Sequence, residues 1–264
     1  MKSSLMAVVC CACAAFPASA QVVLESKTAG LIDDLVSANR ILASQGVLDG
    51  FGHVSGRSPV DPSHFYMARS VAPASVTSID IMEFDRDGKP VGSETRVPYA
   101  ERFIHSEIYK ARADVMAVVH GHTPSVIPFS VTNVALKPVY HMSGFLGKGV
   151  PVFDLRDVAG AGAAADTDLL VKSAALGARL AEKLGASSVV LMRGHGFTAV
   201  AGSVPVAVFR SVYTDQNARI QIEALRLGQP RFLSEGEAAL TEAAMEPLSV
   251  RSWEQWKKQP GLLR

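Results

Sequence analysis

Hydrophobic positions along this chain follow two spacings, which predict helices and strands in alternation. Apolar residues recur every three or four positions, as in a helix with one buried face, over segments 28–45, 98–112, 166–184 and 204–227. Short continuous apolar runs, typical of buried strands, occupy 115–120 and 188–193. Further strands are predicted at 64–68, 79–84 and 138–142, a short helix from Thr123, and two more helices within 234–258.

Hairpin signals between residues 60 and 90 interrupt this alternation. The sequence Asp85-Arg86-Asp87-Gly88 is typical of a turn, since glycine tolerates a positive φ. No internal repeat, low-complexity tract or long polar linker divides residues 21–264. We therefore expect a single α/β domain over these residues, with a central mixed, largely antiparallel β-sheet flanked by helices.

The first twenty residues have the features of a signal peptide. Lys2 precedes an apolar stretch over residues 5–16 that is too short to span a bilayer, and Ala18-Ser19-Ala20 is a small-residue cleavage site. We expect export of residues 21–264, to the periplasm in a Gram-negative bacterium and otherwise by secretion. All three cysteines lie in this leader, so the mature domain has no thiol for catalysis or metal binding.

Charge and hydropathy narrow the class of partner. Without Lys2, the 26 basic residues of the chain fall to 25, which equals its 25 acidic residues. This balance argues against nucleic acid or an anionic membrane surface as a partner. No later segment is apolar enough to cross a bilayer. We expect a small-molecule substrate.

Three histidines at the ends of two predicted strands form the candidate chemistry. His120 and His122 end the first apolar run, and residues two apart on a strand point to the same face. His195 ends the second run between Gly194 and Gly196. Three imidazoles with an open fourth position are the ligand set of a catalytic divalent metal. The competing interpretation is that these histidines are hydrogen-bonded residues at a sheet edge.

These motifs, together with Glu101 nineteen residues before His120, resemble the class II aldolase and adducin family. The resemblance covers almost the whole mature domain, from the helix before Gly52-His53 to the long helix after His195. It implies the class II aldolase fold and one divalent metal per chain on His120, His122 and His195. Zinc is the first candidate for that ion, and manganese, iron and cobalt are the alternatives. The same resemblance implies that Glu101 transfers a proton and that the chain forms a homotetramer.

Two departures from the aldolases of that family bear on the substrate. Gly52-His53 stands where they have Gly-Asn, and Tyr99-Ala100 where they have two serines before the glutamate. Both changes remove small hydrogen-bonding groups that cradle a phosphate. A non-phosphorylated substrate is therefore expected. The candidates for binding its carboxylate or phenol are His53, Arg57, Arg69 and Tyr99.

The stretches 68–70, 99–108 and 139–142 resemble a branch of the family that contains hydroxyaromatic-acid decarboxylases, such as those acting on dihydroxyphthalate. In such a reaction Glu101 is the first candidate proton donor, with His141 or Tyr140 second. His64 and His105 lie in no motif and are expected to be structural or exposed. We expect Glu107, Glu182 and Glu223 to be solvated helix positions.

The sequence thus predicts a metal-dependent carbon–carbon lyase that acts on a hydroxy acid by decarboxylation or by retro-aldol cleavage. A non-catalytic binding or assembly module like the adducins, and an iron-dependent oxygenase, are the alternatives. Three aromatic residues, Tyr213, Trp253 and Trp256, are expected either to reach a neighbouring subunit or to cover the core.

Overall fold

A computed structural model describes residues 18–158 and 166–259. The strands are β1 (His53–Arg57), β2 (Phe65–Ala68), β3 (Ile81–Phe84), β4 (Ala117–Gly121), β5 (Val152–Phe153), β6 (Val189–Met192) and β7 (Gly196–Ala201). The α-helices are α1 (Ala18–Ser44), α2 (Arg102–Ala111), α3 (Ile127–Val131), α4 (Leu155–Val158), α5 (Ala174–Leu184), α6 (Val204–Leu227), α7 (Glu235–Met245) and α8 (Ser249–Lys257). Short 3₁₀ turns occupy Pro73–Ser75, Ser78–Asp80, Pro124–Val126, His141–Leu146 and Glu246–Leu248.

The seven described strands form one sheet in the order β3-β2-β1-β4-β7-β6-β5. Every pairing between them is antiparallel except that of β5 with β6. The predicted α/β fold with a mixed, largely antiparallel sheet is therefore confirmed. In the register of the central strands, His53 of β1 faces His120 of β4, and His120 faces Thr198 of β7.

Helices cover both faces of this sheet, and the alternation along β4 assigns each side chain to one of two cores. Val119 packs in the cluster that includes Leu35 of α1 and Val208 of α6. Val118 packs in the other, with Ile104 of α2 and Leu180 of α5. Because residues two apart share a face, His120 points to the same side as Val118, toward α2.

The predicted strand at 138–142 is wrong, since this segment joins no sheet and passes into a 3₁₀ turn at His141–Leu146. Its backbone groups are bonded instead to side chains of α6. The Val139 N–H donates to Asn217 Oδ1, and Asn217 Nδ2 donates to the Lys137 carbonyl. Gln221 bonds the preceding residues in the same way. Two buried amide side chains thus replace a neighbouring strand.

The predicted helix at 166–184 begins only at Ala174, where the Ser173 hydroxyl caps the helix by accepting from the Leu176 N–H. Residues 166–173 have no regular structure, and Leu169 has a φ of 61° that no α-helix accommodates. The apolar side chain of Val171 is fully buried without helical spacing. The apolar spacing is continuous from residue 166, but the Ser173 cap marks where the helix begins.

Other boundaries differ at the ends. Helix α1 begins at Ala18 rather than at residue 28, and α2 at Arg102 rather than at 98. The predicted leader lies outside the described residues except for its last three, which open α1. Trp253 and Trp256 are buried in the core, and Tyr213 packs against it. Among the described helices none is long and apolar enough to cross a bilayer.

Candidate metal centre and active site

The histidine cluster forms where β4 ends and where β6 turns into β7. His120 is the fourth residue of β4, His122 follows that strand, and His195 lies in the turn. The turn passes so close to β4 that a Cβ at Gly196 would lie 2.2 Å from the carbonyl oxygen of Gly121. A glycine is therefore required there for His195 to reach the other two rings.

Each of the three rings points its Nε2 atom toward a common centre. His122 Nε2 lies 3.0 Å from His120 Nε2 and 3.0 Å from His195 Nε2. Glu101 Oε2 lies 3.7 Å from His120 Nε2 and 3.5 Å from His195 Nε2. All four ligand atoms lie within 4.8 Å of one another.

Backbone carbonyls orient two of these rings. His120 Nδ1–H donates to the Phe197 carbonyl at 3.0 Å, and His195 Nδ1–H donates to the Leu169 carbonyl at 2.7 Å. A carbonyl only accepts, so the proton of each neutral ring lies on Nδ1 and its Nε2 presents a lone pair to the centre. Two lone pairs that face one point are suited to a shared cation.

The donor set fits a divalent metal. Burial and the neighbouring imidazoles hold the pKa of His120 well below its usual range, and burial lowers that of His122 to about 4. Both rings are therefore neutral near pH 7, the form that coordinates metals. Three imidazole nitrogens with a carboxylate beside them suit zinc, manganese, iron or cobalt.

Glu101 lies at the start of α2, where it is buried beside the histidines. Its Oε1 accepts from the Val171 N–H at 2.8 Å, so Oε2 is the oxygen turned to the rings. Burial raises the pKa of this carboxyl, and the interaction with His195 partly offsets the rise. A carboxyl with a raised pKa in this position can hold a proton at Oε2 and release it to a reacting atom.

A cavity of about 630 Å³ opens over the cluster. Its described lining includes His53, Tyr99, Glu101, His122, Leu170 and His195. No lysine or arginine belongs to this lining within the described ranges. From this lining a ligand meets imidazoles, one carboxyl, the Ser70 side chain, backbone groups and apolar surface.

The family model for the class II aldolase and adducin N-terminal domain matches residues 33–222. The chain belongs to this family. Decarboxylase tropJ of Talaromyces stipitatus is 40% identical over 245 residues, which cover 85% of this chain and 91% of that protein. A 3,4-dihydroxyphthalate decarboxylase of Arthrobacter keyseri is 30% identical over 215 residues, 76% of this chain and 81% of that one.

Solved structures agree on the class II aldolase fold. An aldolase II superfamily protein from Pseudomonas syringae superposes with a TM-score of 0.71 at 25% identity, over 92% of this chain and 98% of that one. An L-fuculose 1-phosphate aldolase from Glaciozyma antarctica gives 0.70 at 23% identity, over 89% and 92%. The predicted resemblance is confirmed, and these relatives together support a lyase or decarboxylase.

The structure brings six predicted site residues of this class II aldolase-like protein together: His53, Tyr99, Glu101, His120, His122 and His195. The ring of His53 lies with its centroid 5.1 Å from that of His120 and 4.7 Å from that of Tyr99. The Tyr99 hydroxyl donates to the Val71 carbonyl, so its phenol is already engaged. Tyr99 offers the cavity an aromatic surface.

Arg57 and Arg69, predicted to bind substrate, do not line the cavity. The Arg57 guanidinium donates to four backbone carbonyls, those of Pro62, Tyr109, Arg112 and Val115. It ties the end of α2 to β1. Arg69 Nε pairs with Asp80 Oδ1 at 2.7 Å. Each guanidinium is occupied by a structural partner.

Tyr140 and His141, the second candidates for proton donor, also lie away from the cavity lining. The Tyr140 hydroxyl donates to Gln216 Oε1 of α6 at 3.3 Å, and its ring packs near those of His141 and Tyr213. This placement follows from the segment to which they belong, since α6 holds residues 137–143. Within one chain they are not brought to Glu101.

Sequence reasoning missed the backbone groups of Leu169 and Val171 and the side chain of His105. His105 is fully buried and bonds to His53, although it lies in no motif. Helical spacing is the signal that could have found it. Glu101 and His105 are four residues apart at the start of one helix, so they share a face, and His53 faces them from a strand. Glu107, expected in solvent, is also buried and pairs with Lys110 at 2.8 Å.

Proposed function

We propose that the protein is a metal-dependent decarboxylase of a non-phosphorylated hydroxyaromatic acid, with His120, His122 and His195 as metal ligands. The observation that carries the proposal is the convergence of three imidazole Nε2 atoms and Glu101 Oε2 within 4.8 Å, inside a cavity. Relatives named decarboxylases add support for the reaction type. If these residues hold a divalent metal, it would supply Lewis-acid chemistry for the electron pair that the departing carbon dioxide leaves behind.

The lining of the cavity favours this substrate class. A phosphate is often bound by lysine or arginine, and neither residue type lines the cavity among the described residues. From this lining the leaving carboxylate likewise meets no guanidinium or ammonium that would stabilise it before the bond breaks. The apolar lining and the Tyr99 ring fit the flat face of an aromatic acid.

Glu101 has the position and protonation behaviour of the proton donor. Decarboxylation replaces the carboxylate by hydrogen, so one proton must reach the ring carbon in each turnover. The carboxyl of Glu101, whose pKa is raised by burial, delivers that proton from Oε2. The Val171 N–H fixes Oε1 and so determines which oxygen faces the substrate.

The metal is tested by elemental analysis of purified protein. We expect about one divalent ion per chain, and loss of most of it in His122→Ala. His64→Ala is the matched control, because His64 is partly exposed and pairs with Glu83 outside the cluster. A wild-type protein that binds no metal after reconstitution would favour the adducin-like binding module.

The reaction is tested by carbon dioxide release from hydroxylated benzoates and phthalates by the metal-loaded protein. In heavy water the product should carry one deuterium at the carbon that lost the carboxylate. Glu101→Gln should lower kcat by about 100-fold or more with metal still bound. Aldehyde formation without carbon dioxide would indicate retro-aldol cleavage, and consumption of dioxygen would indicate an oxygenase.

We also propose export of residues 21–264 and assembly into a homotetramer. A mature N-terminus at Gln21 in the periplasmic fraction of the host, found by mass spectrometry, would support export. Light scattering of the mature protein should give four times the chain mass. A purified chain of monomer mass would contradict the assembly.

A further inference from the structure

We propose that a buried hydrogen-bond chain, Tyr109–Ser55–His105–His53, fixes the proton of His53 on Nε2 and makes this ring a neutral hydrogen-bond donor to an anionic substrate oxygen. His53 thereby becomes a specificity-determining residue, and the other three are positioning residues. The substrate part of this inference rests on the proposed function. The proton placement does not.

The hydrogen-bond chain forms where one face of strand β1 packs against one face of helix α2. His53 and Ser55 are two apart on β1 and share one face of the sheet, whereas His105 and Tyr109 are four apart on α2 and share one face of the helix. His53 Nδ1 lies 2.7 Å from His105 Nε2, and His105 Nδ1 lies 2.6 Å from Ser55 Oγ. Ser55 Oγ lies 2.8 Å from the Tyr109 hydroxyl.

The buried end of the chain sets its direction. The Tyr109 side chain is buried, and among the described residues its hydroxyl has one hydrogen-bond partner, the Ser55 hydroxyl, so its proton has no other acceptor. Tyr109 therefore donates to Ser55, and the Ser55 hydroxyl donates to His105 Nδ1. The His105 proton then lies on Nε2 and is donated to His53 Nδ1.

His105 is fully buried, and burial lowers its pKa to about 3, so its ring is neutral and carries a single proton, on Nε2. With His53 Nδ1 accepting from His105, the remaining proton of His53 lies on Nε2. The opposite direction would leave the buried Tyr109 hydroxyl without an acceptor, which is costly.

The other end of the chain opens to substrate. His53 lines the cavity, and among the described residues no protein group is hydrogen-bonded to its Nε2. The ring lies beside that of His120, and so next to the metal ligands. Among the described residues the cavity lining offers no lysine or arginine, so this neutral N–H is positioned to bind a carboxylate or phenolate oxygen without adding positive charge.

The proton placement is tested without turnover, on zinc-loaded protein with ¹⁵N-labelled histidine. Long-range proton–nitrogen correlation spectra should show His53 and His105 each protonated at Nε2 and bare at Nδ1, with His53→Gln used for assignment. A His53 ring protonated at Nδ1 overturns the proposal. This result stands or falls even if no hydroxy acid is turned over.

The role in binding is tested with 2,3-dihydroxybenzoate as the probe. His105→Leu removes the donor to His53, and should mix the two forms of the His53 ring and raise the Kd of the probe about tenfold. His105→Gln can accept from Ser55 and donate to His53, so it should restore both values. An unchanged Kd in both His105→Leu and His53→Leu contradicts the role.

Discussion

Two segments, 138–142 and 166–173, lie outside the sheet, although the apolar spacing predicts regular structure in both. In the first, and at Lys137 just before it, backbone groups are bonded to Asn217 and Gln221 of α6. In the second, the Val171 N–H and the Leu169 carbonyl are bonded to side chains of the candidate site. The first segment is therefore bonded to a helix of the core, and the second to the candidate site.

The difference shows where to look for function in an irregular segment. A buried peptide group needs a hydrogen-bond partner, and outside regular structure that partner is a side chain. Where the partner is an uncharged amide such as Asn217, the bond contributes stability. Where the partner is Glu101 or His195, the same bond orients a reactive group.

The largest expected difference between the candidate site and the segment bonded to α6 is the response to pH. In the folded state the pKa values of His53, His105 and His120 are lowered, so below about 6.5 the unfolded chain binds more protons. Stability of the metal-free protein should fall with falling pH, by up to about 1.4 kcal/mol per pH unit for each ring. The raised pKa of Glu101 has the opposite effect on stability, but it is one carboxyl and the lowered pKa values belong to three rings.

Urea unfolding of EDTA-treated protein between pH 8 and pH 5 measures this dependence. The contacts of residues 137–143 with Asn217 are uncharged, so amide exchange there should follow global stability alone. A stability that stays flat below pH 6.5 would mean that these three rings are not buried as neutral groups.

Asn217→Ala should give the next largest effect. It removes the acceptor of the Val139 N–H and of the Ser143 hydroxyl and the donor to the Lys137 carbonyl. The free energy of unfolding should fall by about 3 kcal/mol, while metal content stays at the wild-type level. Gln216→Ala, which loses one long bond to Tyr140, is the control and should cost much less. Loss of metal in Asn217→Ala would remove the distinction between the two segments.

Val171→Pro should act on turnover. It deletes the N–H that fixes Glu101 Oε1, so kcat should fall about 10- to 100-fold with metal retained. Val171→Ala keeps the N–H and loses only buried methyl groups, which should lower stability more than kcat. Equal kcat values for the two variants would show that this N–H does not orient the carboxyl.

Leu169→Gly should have the smallest effect. Glycine relieves the positive φ, a gain of about 1 kcal/mol, but adds a similar entropy cost in the unfolded chain and loses the partly buried Leu169 side chain, so stability should fall modestly. The carbonyl that accepts from His195 remains, so metal affinity should be unchanged. A clear loss of metal would show that the Leu169 side chain, and not its carbonyl, holds His195.

The sequence predicted the sheet, the long helices and the histidine cluster, because these depend on periodicities that survive in any context. His120 and His122 could be placed together from strand alternation alone. His105 could not, since its role depends on which helix face meets which strand face. Arg57 was misassigned because a free guanidinium and one that caps four carbonyls have the same appearance in a sequence.

The carbonyls that orient two of the three candidate ligands determine how the geometry of the site is encoded in the sequence. Phe197 and Leu169 hold His120 and His195 through main-chain oxygens, which every amino acid carries. A substitution at either position leaves the carbonyl in place, so the orientation of these imidazoles does not depend on the identity of either side chain. This part of the site geometry is therefore encoded by the path of the backbone.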